Sequence, residues 1–395
     1  MKPVKIGLIG SGAISYTYLN TLTQKGFYIT EVVGCSDLIV ERSKARAEIF
    51  GVRQMTNDEI LNDPEIEIVL NTTQNAKHHE VSKIILEAGK HVYSEKAMDT
   101  NLKDATILYD LAKQKNLMLG CAPDCYMGSA YQTARKLIDD GWIGTPLFAH
   151  AYCYRGYNIH ERSWESPDFG AYGTTMLYDM SGYYINVLVN LLGAVRRVSG
   201  YSRFFDDRVY TNPAHENYKS PVKKLPGPNI SMGCLEFYNG CYASLTLTQD
   251  GMGQEIPGVE IFGTHGRLQL PDPNCFGGYN NKVYLTRMGH YQPMEMPFTH
   301  DFGDTDWREP TLSGKGEPCH NSWRGIAVVD MAYAIRRGRK PRSDAELALH
   351  AVEIAAAIDT SSNENKTIEL KTKPERPEPL RAGCFGNSRE YGIDT

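Results

Sequence analysis

Two glycines near the amino terminus have the spacing of a phosphate-binding loop. The run Gly10-Ser11-Gly12-Ala13-Ile14-Ser15 follows an apolar stretch at residues 4–9 and precedes a stretch with helical periodicity. In such a loop the first glycine allows a tight turn, and the second lets a pyrophosphate approach bare backbone. Ser15 replaces the third glycine or alanine of the pattern and is still small. The residues that this pattern assigns to dinucleotide contact are Gly10, Gly12, Ala13 and Ile14.

An acidic residue ends the next apolar stretch. Asp37 follows Gly12 by 25 residues, close to the separation at which a carboxylate accepts hydrogen bonds from ribose hydroxyls. The same carboxylate would repel a 2′-phosphate, and Leu38 stands where an arginine would favour NADP. The pattern therefore predicts NAD, with NADP the less favoured cofactor. The alternative is an ordinary tight turn with a solvent-facing aspartate.

Residues 152–172 form a second candidate site, because they are dense in Tyr, Trp, Arg and His. Aromatic rings stack on the apolar faces of sugars, and Arg and His donate hydrogen bonds to hydroxyl groups. This composition is typical of a carbohydrate-binding loop, but also of a surface loop that covers a sheet edge. A histidine far along the chain could reach the same crevice. The candidate substrate contacts from these segments are Arg155, His160, Trp164 and His320.

These candidates depend on the elements that position them. Up to residue 121, short apolar runs alternate with stretches whose apolar residues are three or four apart. This alternation is typical of the strands and helices of an open parallel sheet. Such sheets bind ligands at the carboxyl ends of their strands. The predicted strands are residues 4–9, 31–35, 66–71, 91–94 and 117–121.

After residue 146 the sequence becomes aromatic and β-rich. The dipeptide Asn239-Gly240 lies between two strand-like runs and predicts a hairpin. Helices are predicted at residues 130–140, 179–192, 323–337 and 344–361, and strands at 148–154, 234–238, 242–248, 259–262 and 268–270. Together these patterns predict an α/β fold.

Two short motifs resemble those of the Gfo/Idh/MocA family, the glucose–fructose oxidoreductases, inositol dehydrogenases and their relatives. Ser94-Glu95-Lys96-Ala97 is similar to the family's Glu-Lys-Pro motif at the end of the fifth strand, with alanine in the proline position. Thr73-Gln74-Asn75-Ala76-Lys77-His78 is similar to its Thr-Pro-Asn-x-x-His loop, with Gln74 replacing proline. The cofactor contacts that the resemblance adds are Thr73, Asn75, His78, Glu95 and Lys96.

The resemblance also implies an architecture. It implies a doubly wound parallel Rossmann sheet, followed by an α/β domain whose large, open, mostly antiparallel sheet often forms the oligomer interface. We therefore expect a dinucleotide-binding domain at residues 1–123, a substrate-binding domain at 124–372 and a tail at 373–395. The tail is rich in Pro, Arg and Glu, which predicts a loose or partner-contacting extension. We also expect a homo-oligomer.

In the family, the lysine of the Glu-Lys-Pro motif contacts substrate near the nicotinamide, and that role falls on Lys96. A carbinol that is oxidised must also lose its hydroxyl proton, so a base has to collect it. We expect partial burial and a neighbouring cofactor to lower the pKa of Lys96 toward the working range. The alternative is a solvated charge at the strand end, paired with Glu95.

The family often carries an aspartate followed four residues later by a histidine. Here Asp179 is followed by Tyr183 in the histidine position, and this spacing puts both on one helix face. Because a phenol has a pKa of about 10, Tyr183 could act as acid or base if the Lys96 ammonium lowers that value. It could instead bind a sugar hydroxyl, or pack as an aromatic. Asp124, in a Pro-Asp pair found in some family branches, is a further predicted substrate contact.

Composition excludes several classes of protein. The chain has 395 residues, 41% of them hydrophobic, and a net charge of −5 from 42 basic and 47 acidic residues. It therefore has enough apolar residues for a core, lacks the basic charge that nucleic acid requires, and has no apolar run long enough for a membrane span. Nine cysteines without a pattern predict reduced thiols in a cytoplasmic protein. No His or Cys spacing predicts a metal site.

The leading hypothesis is an NAD-dependent dehydrogenase acting on a secondary hydroxyl of a sugar, glycoside or cyclitol. In this hypothesis Lys96 and Tyr183 handle the proton and Asp179 orients them. A second hypothesis is a glycosidase that oxidises its substrate transiently with tightly held NAD. A third is a non-catalytic sensor of dinucleotide and sugar.

Overall fold

A six-stranded parallel sheet forms the amino-terminal part of the protein. In this computed structural model the described residues are 1–154, 175–204, 219, 228–248, 258–274, 276, 281–303 and 322–394. The strands run in the order β3-β2-β1-β4-β5-β6, and every neighbouring pair is parallel. Their bounds are β1 (Val4–Ile9), β2 (Thr30–Ser36), β3 (Arg53–Gln54), β4 (Ile66–Asn71), β5 (His91–Ser94) and β6 (Leu119–Cys121).

Five helices connect these strands, and local signals fix several of their ends. Thr56 and Glu59 form a capping box at the start of the third helix, and the Asn101 side chain accepts from two amides at the start of the fifth. Gly51 ends the second helix with a left-handed backbone, φ 67°. The helices are α1 (Ala13–Gln24), α2 (Val40–Phe50), α3 (Asn57–Asn62), α4 (His78–Glu87) and α5 (Leu102–Gln114).

The strand order places a ligand-binding crevice between β1 and β4. The chain runs outward from β1 to β3, then crosses back to β4 on the other side of β1. At such a switch point the connections leaving the two strands diverge and open a crevice at their carboxyl ends. The glycine loop leaves β1 there and the Thr73 loop leaves β4, while Lys96 follows β5. The fold thus brings three of the predicted motifs to one edge of the sheet.

A nine-stranded mixed sheet forms the second part, with the order β14-β13-β12-β11-β7-β10-β9-β8-β15. Its pairs are antiparallel except for β7 with β10. The strands are β7 (Pro146–Tyr154), β8 (Val195–Arg203), β9 (Ile230–Phe237), β10 (Tyr242–Thr248), β11 (Val259–Gly263), β12 (Gly266–Leu270), β13 (Val283–Arg287), β14 (His290–Met296) and β15 (Ile368–Glu369). The helices are α6 (Ser129–Asp139), α7 (Met176–Leu192), α8 (Ile326–Arg337), α9 (Ala345–Glu364) and α10 (Arg389–Ile393).

One face of this sheet packs into the hydrophobic core. The other face, called the open face below, carries exposed side chains. Along β7, Ala149, Ala151 and Cys153 are buried, whereas Phe148 on the opposite face is 40% exposed. Helices α7 and α9 pack on the buried face, and α9 also packs against α5 and β6 of the first sheet. Helix α9 therefore joins the two halves of the molecule and fixes α7 relative to the carboxyl end of β5.

The predicted α/β class, with a parallel first sheet and a mostly antiparallel second sheet, is confirmed. Some bounds differ: α7 starts at Met176, so Asp179 lies in its first turn rather than at its start. Five strands were not predicted: the two-residue strands β3 and β15, and the longer strands β8, β13 and β14. No helix in the described part of the chain is long and apolar enough to span a bilayer.

Of the two alternatives for the tail after residue 373, a loose or a partner-contacting extension, the loose one is wrong. Leu380 is 4% exposed and Ile393 is fully buried. The Arg376 guanidinium donates to the backbone oxygen of Leu191, and the Glu390 carboxylate accepts from the Tyr28 amide and the Tyr333 hydroxyl. The prolines keep the tail extended, but its apolar residues are buried against the rest of the protein.

Candidate active site

The glycine loop has the shape that a dinucleotide needs. Gly10 has φ 102°, and a Cβ there would lie 2.7 Å from the backbone of Thr72, so the close approach of the two loops requires glycine. Gly12 has ordinary extended backbone, and a Cβ there would meet no atom within 4 Å. Helix α1 starts beside that space with no side-chain cap and no acidic residue in its first turn. Its uncapped amides and its dipole fit a pyrophosphate.

Asp37 borders the same loop. Its Oδ2 accepts from the Ser11 amide at 2.7 Å, and its Oδ1 accepts from the Ile39 amide at 2.8 Å. Each carboxylate oxygen keeps a second lone pair for a ribose hydroxyl. Leu38 beside it is 92% exposed. The carboxylate is therefore held at the crevice by backbone amides, unlike the free solvent-facing group of the alternative interpretation.

The loop after β4 is tied to the loop after β5 by His78. This histidine is 1% exposed, with Nε2 3.0 Å from the Thr73 oxygen and Nδ1 3.0 Å from the Ala97 oxygen. Burial lowers its pKa, and a neutral imidazole donates through only one nitrogen. Thr73 Oγ1 donates to Asn71 Oδ1 at 2.6 Å, and half-buried Asn75 opens a single 3₁₀ turn. His78 thus holds the Thr73 loop in place from the buried side.

Glu95 faces inward. It is 6% exposed, its Oε1 accepts from the Tyr18 hydroxyl at 2.7 Å, and its Oε2 accepts from the Lys96 amide at 3.1 Å. Both oxygens are engaged within the protein, which fits bracing of the strand end against α1 rather than the predicted contact with a dinucleotide. The alternative ion pair between the Glu95 carboxylate and the Lys96 ammonium does not form.

Lys96 pairs instead with Asp179. Its Nζ donates to Asp179 Oδ1 at 2.5 Å, and the two side chains are 21% and 18% exposed. Burial lowers the pKa of Lys96, but the charge of Asp179, with further contributions from Tyr183 and Glu95, outweighs burial and raises it. The expectation of a lowered pKa is therefore wrong, because the residues alone did not reveal how close the carboxylate would lie.

Tyr183 lies one turn along α7 from Asp179 and is 3% exposed. The Lys96 Nζ is 5.9 Å from the centroid of its ring, and Arg324 Nη1 donates to its hydroxyl at 2.8 Å. Burial raises the pKa of Tyr183, and the two cations lower it by less than burial raises it. Tyr183 is therefore a neutral phenol at physiological pH, rather than the acidified one that the sequence suggested.

Sequence reasoning missed Arg324 and Asn274. Arg324 is 7% exposed, and its Nη2 donates to Asn274 Oδ1 at 3.0 Å. Arg324 is 141 residues from Tyr183 along the chain, so no spacing rule connects them. The one available signal is an arginine at the start of an otherwise apolar helical stretch.

Asp124 has a different position from the predicted one. It is fully buried, and its Oδ2 accepts from the amides of Gly325 at 2.8 Å and Ala327 at 3.3 Å. Burial raises its pKa to about 6, although these amides oppose the shift. The side chain binds the amino terminus of α8, where the positive helix end favours a carboxylate. This position corrects the predicted substrate contact.

A cleft opens beside the lysine–aspartate pair. It encloses about 420 Å³, part of it open to solvent, and its lining includes Lys96, Asp179, Pro123 and Gly182. The remaining predicted substrate contacts, Arg155, His160, Trp164 and His320, lie outside the described residues. Within the cleft, the Lys96 ammonium can donate to a substrate oxygen and the Asp179 carboxylate can accept from a hydroxyl. This pairing suits transfer of a proton to or from a carbinol.

Sequence comparison places both parts of the chain in one family. Residues 4–122 match the model of the GFO_IDH_MocA oxidoreductase family, NAD-binding Rossmann fold. Residues 131–269 match the model of the GFO/IDH/MocA C-terminal domain. The two matches together cover more than half of the chain, and they include the glycine loop, Lys96 and the segment from Asp179 to Tyr183.

Individual relatives are distant. An uncharacterised oxidoreductase of Schizosaccharomyces pombe is 30% identical over 252 residues, 59% of this chain and 67% of that protein. Scyllo-inositol 2-dehydrogenase (NADP+) of Bacillus subtilis is 27% identical over 199 residues, 50% of this chain and 54% of that protein. Levoglucosan dehydrogenase of Pseudarthrobacter phenanthrenivorans is 25% identical over 289 residues, 68% and 73% of the two chains.

Solved structures share the fold. Levoglucosan dehydrogenase in complex with NADH and levoglucosan has a TM-score of 0.75 at 21% identity, covering 94% of this chain and 100% of that one. An NAD-binding oxidoreductase from Klebsiella pneumoniae has a TM-score of 0.76 at 20% identity, with the same coverage. With both domain models matched and the fold in agreement, the chain belongs to the Gfo/Idh/MocA family of NAD(P)-binding oxidoreductases.

Proposed function

We propose that this protein is an NAD-dependent oxidoreductase that interconverts a secondary hydroxyl and a ketone on a sugar, glycoside or cyclitol. The observation that carries the proposal is the 2.5 Å contact between Lys96 Nζ and Asp179 Oδ1, with Tyr183 one turn away. The contact lies at the carboxyl end of β5, in the crevice where parallel sheets bind ligands.

The cofactor proposal rests on the glycine loop and Asp37. When bound, a nicotinamide cofactor supplies or accepts the hydride. Gly10, Gly12, Ala13 and Ile14 would hold its pyrophosphate at the start of α1. The Asp37 carboxylate supports NAD over NADP, because it would lie against a 2′-phosphate. Relatives differ here, since the B. subtilis protein is named for NADP+ and the solved levoglucosan dehydrogenase complex holds NADH.

The proton is handled by the chain's own side chains. Since its pKa is raised, Lys96 is an ammonium that donates a hydrogen bond to the substrate oxygen. Asp179 orients this ammonium and keeps it charged, and Tyr183 remains a neutral hydroxyl that can donate a proton when a ketone is reduced. In the oxidising direction Tyr183 first loses its proton to solvent, and its phenolate then takes the proton of the substrate hydroxyl.

The substrate class follows from the relatives and from the predicted loop. Relatives are named for inositols and levoglucosan, which are polyhydroxylated rings. Arg155, His160, Trp164 and His320 are proposed as contacts for such a ring. Asp124, buried at the start of α8, is left out of this set.

The open face of the nine-stranded sheet is proposed as the interface with a second copy. Phe148 and Phe262 stack on this face with ring centroids 4.4 Å apart, and Tyr242 and Met232 are 48% and 50% exposed. An apolar area on one face of a large sheet favours a partner surface over water. Sedimentation should give a mass of at least two chains, and Phe148→Asp should lower it. A wild-type monomer would refute this part of the proposal.

The test of the activity is absorbance at 340 nm with NAD and a panel of free sugars, inositols, anhydrosugars and glycosides, with product masses measured in parallel. We expect NADH to form with one substrate class, together with a product two mass units lighter. A cleaved glycoside without net NADH would replace the proposal with a transient redox cycle. Cofactor binding without any product across all classes would favour a sensor.

A further inference from the structure

A buried arginine touches the oxygen of Tyr183. Arg324 Nη1 donates to the Tyr183 hydroxyl at 2.8 Å, and the guanidinium carbon lies 5.3 Å from the centroid of the same ring. The two side chains are 7% and 3% exposed. Water therefore screens the contact less than it would at the protein surface.

The guanidinium is fixed by its surroundings. Arg324 Nη2 donates to Asn274 Oδ1 at 3.0 Å, and its backbone amide donates to Ser322 Oγ at 3.3 Å. The next amide, from Gly325, donates to Asp124 Oδ2 at 2.8 Å. Asp124 lies three residues after the end of β6, the last strand of the Rossmann sheet, so Arg324 is anchored to the same scaffold that carries Lys96.

This arrangement determines how the Tyr183 hydroxyl can act. A guanidinium has only donors, so the phenolic oxygen must accept from Arg324 and cannot donate to it. The hydroxyl hydrogen is consequently available for another acceptor. The charged Lys96, 5.9 Å from the ring centroid, also has only donors. A substrate oxygen held by Lys96 is an acceptor of the required kind.

We propose that Arg324 is a positioning residue that fixes the Tyr183 hydroxyl as a proton donor to the substrate and stabilises the phenolate that remains. The inference rests on the proposed function, since it concerns the reduction of a ketone. In that step the O–H bond of Tyr183 breaks, its electron pair stays on the phenolic oxygen, and the proton goes to the carbonyl oxygen. The carbonyl carbon receives the hydride of the nicotinamide. Solvent then returns a proton to Tyr183.

The charges around Tyr183 agree with this assignment. Burial raises its pKa; Arg324 and Lys96 lower it, and Glu95 and the Cys125 thiol raise it. Arg324 is the larger of the two lowering influences. Its removal should therefore raise the pKa of Tyr183 further and weaken the phenol as an acid.

The test measures the ionisation of Tyr183 without substrate or cofactor. The full chain would carry 3-fluorotyrosine at position 183, whose ¹⁹F shift reports the phenol's protonation and whose pKa lies below that of tyrosine. We expect Arg324→Met to raise the midpoint by at least one pH unit, a tenfold change, and Arg324→Lys to restore much of the difference. Arg337→Met, at the far end of α8 and paired with Asp394 at the surface, is the matched control and should leave the midpoint unchanged.

An unchanged midpoint in a folded Arg324→Met variant would overturn the proposal. If that variant does not fold, Asn274→Ala releases Arg324 Nη2 while keeping the arginine, and it should shift the midpoint in the same direction. No shift there would also overturn it. These results do not depend on turnover, so they stand apart from a failure of the proposed function.

Once a substrate is identified, measurement of kcat provides a second test of the proposal. If Arg324 acts through Tyr183, Arg324→Met should lower kcat for ketone reduction at least tenfold in the wild-type background. In a Tyr183→Phe background, Arg324→Met should lower kcat less than twofold. Equal losses in both backgrounds would assign Arg324 a role independent of the phenol and contradict the proposal.

Discussion

The two glycines of the cofactor loop should respond to substitution in opposite ways. Gly12 has extended backbone and open space at its Cβ position, so Gly12→Val should change the free energy of unfolding by no more than about 0.5 kcal/mol. The valine side chain would occupy the space through which a pyrophosphate approaches the start of α1. We expect the Kd for NADH to rise at least about 100-fold, which corresponds to roughly 2.7 kcal/mol of binding free energy.

Gly10→Ala should instead destabilise the fold. At φ 102° an alanine is strained, and its Cβ would lie 2.7 Å from three backbone atoms of Thr72 and Thr73. Strain of this kind costs roughly 1–3 kcal/mol and overpacking a further 1–3 kcal/mol or so. The control is Gly51→Ala, which has a left-handed backbone, φ 67°, but no atom within 4 Å of the new Cβ. It should cost only about 1 kcal/mol and leave NADH binding intact.

Urea unfolding and NADH fluorescence titration measure the two quantities on the same samples. Gly12→Val should weaken NADH binding without changing the free energy of unfolding. Gly10→Ala should lower both the NADH affinity and the free energy of unfolding. If Gly12→Val bound NADH as wild type does, the dinucleotide would not sit against this loop and the cofactor assignment would be refuted. If Gly10→Ala were as stable as Gly51→Ala, the close approach of the Thr72 backbone would add nothing to the free-energy cost of the substitution.

Three further predictions concern the cofactor, the buried acid and the ion pair. Leu38→Arg, at a 92% exposed position, should leave stability unchanged and lower the Kd for NADPH at least about tenfold by pairing with the 2′-phosphate; an unchanged NADH to NADPH ratio would contradict the placement of the ribose. The pKa of buried Asp124 is about 6 in the folded protein against 3.8 for the free group, so folding binds a proton between these values and stability falls as pH rises from 4 to 6. Asp124→Asn should remove roughly 3 kcal/mol of that pH dependence in urea unfolding. Asp179→Asn removes the charge that raises the pKa of Lys96, so Lys96 should react faster with acetic anhydride at pH 8, measured by mass spectrometry against Lys136 as internal reference.

The sequence was sufficient for the architecture because its signals are local. Alternating apolar runs and the glycine loop after β1 predict a parallel sheet with a ligand crevice, and the structure has both. The short strands β3 and β15 have two residues each and carry no periodicity that could be recognised. The tail was misjudged because composition shows proline and charge, but not the pockets that receive Leu380 and Ile393.

The site was only partly predictable. The resemblance brought Lys96, Asp179 and Tyr183 together, and the structure places them side by side. The pKa of Lys96 is raised rather than lowered because it pairs with Asp179, 83 positions away. The pKa of Tyr183 is raised because burial outweighs the two nearby cations. Arg324 illustrates the limit, because its contact with Tyr183 joins residues 141 positions apart in the sequence.

The most direct test of the central claim compares wild type with Lys96→Ala under conditions in which both are saturated with cofactor. NADH fluorescence establishes the Kd of each, and absorbance at 340 nm then measures the rate of a single turnover with the substrate that the panel identifies. The account predicts that NADH affinity stays within about threefold, while the single-turnover rate falls by at least about 100-fold, the usual contribution of a positioned acid or base. A turnover rate within a few-fold of wild type, with cofactor still bound, would contradict the placement of the Lys96 ammonium on the reacting substrate oxygen.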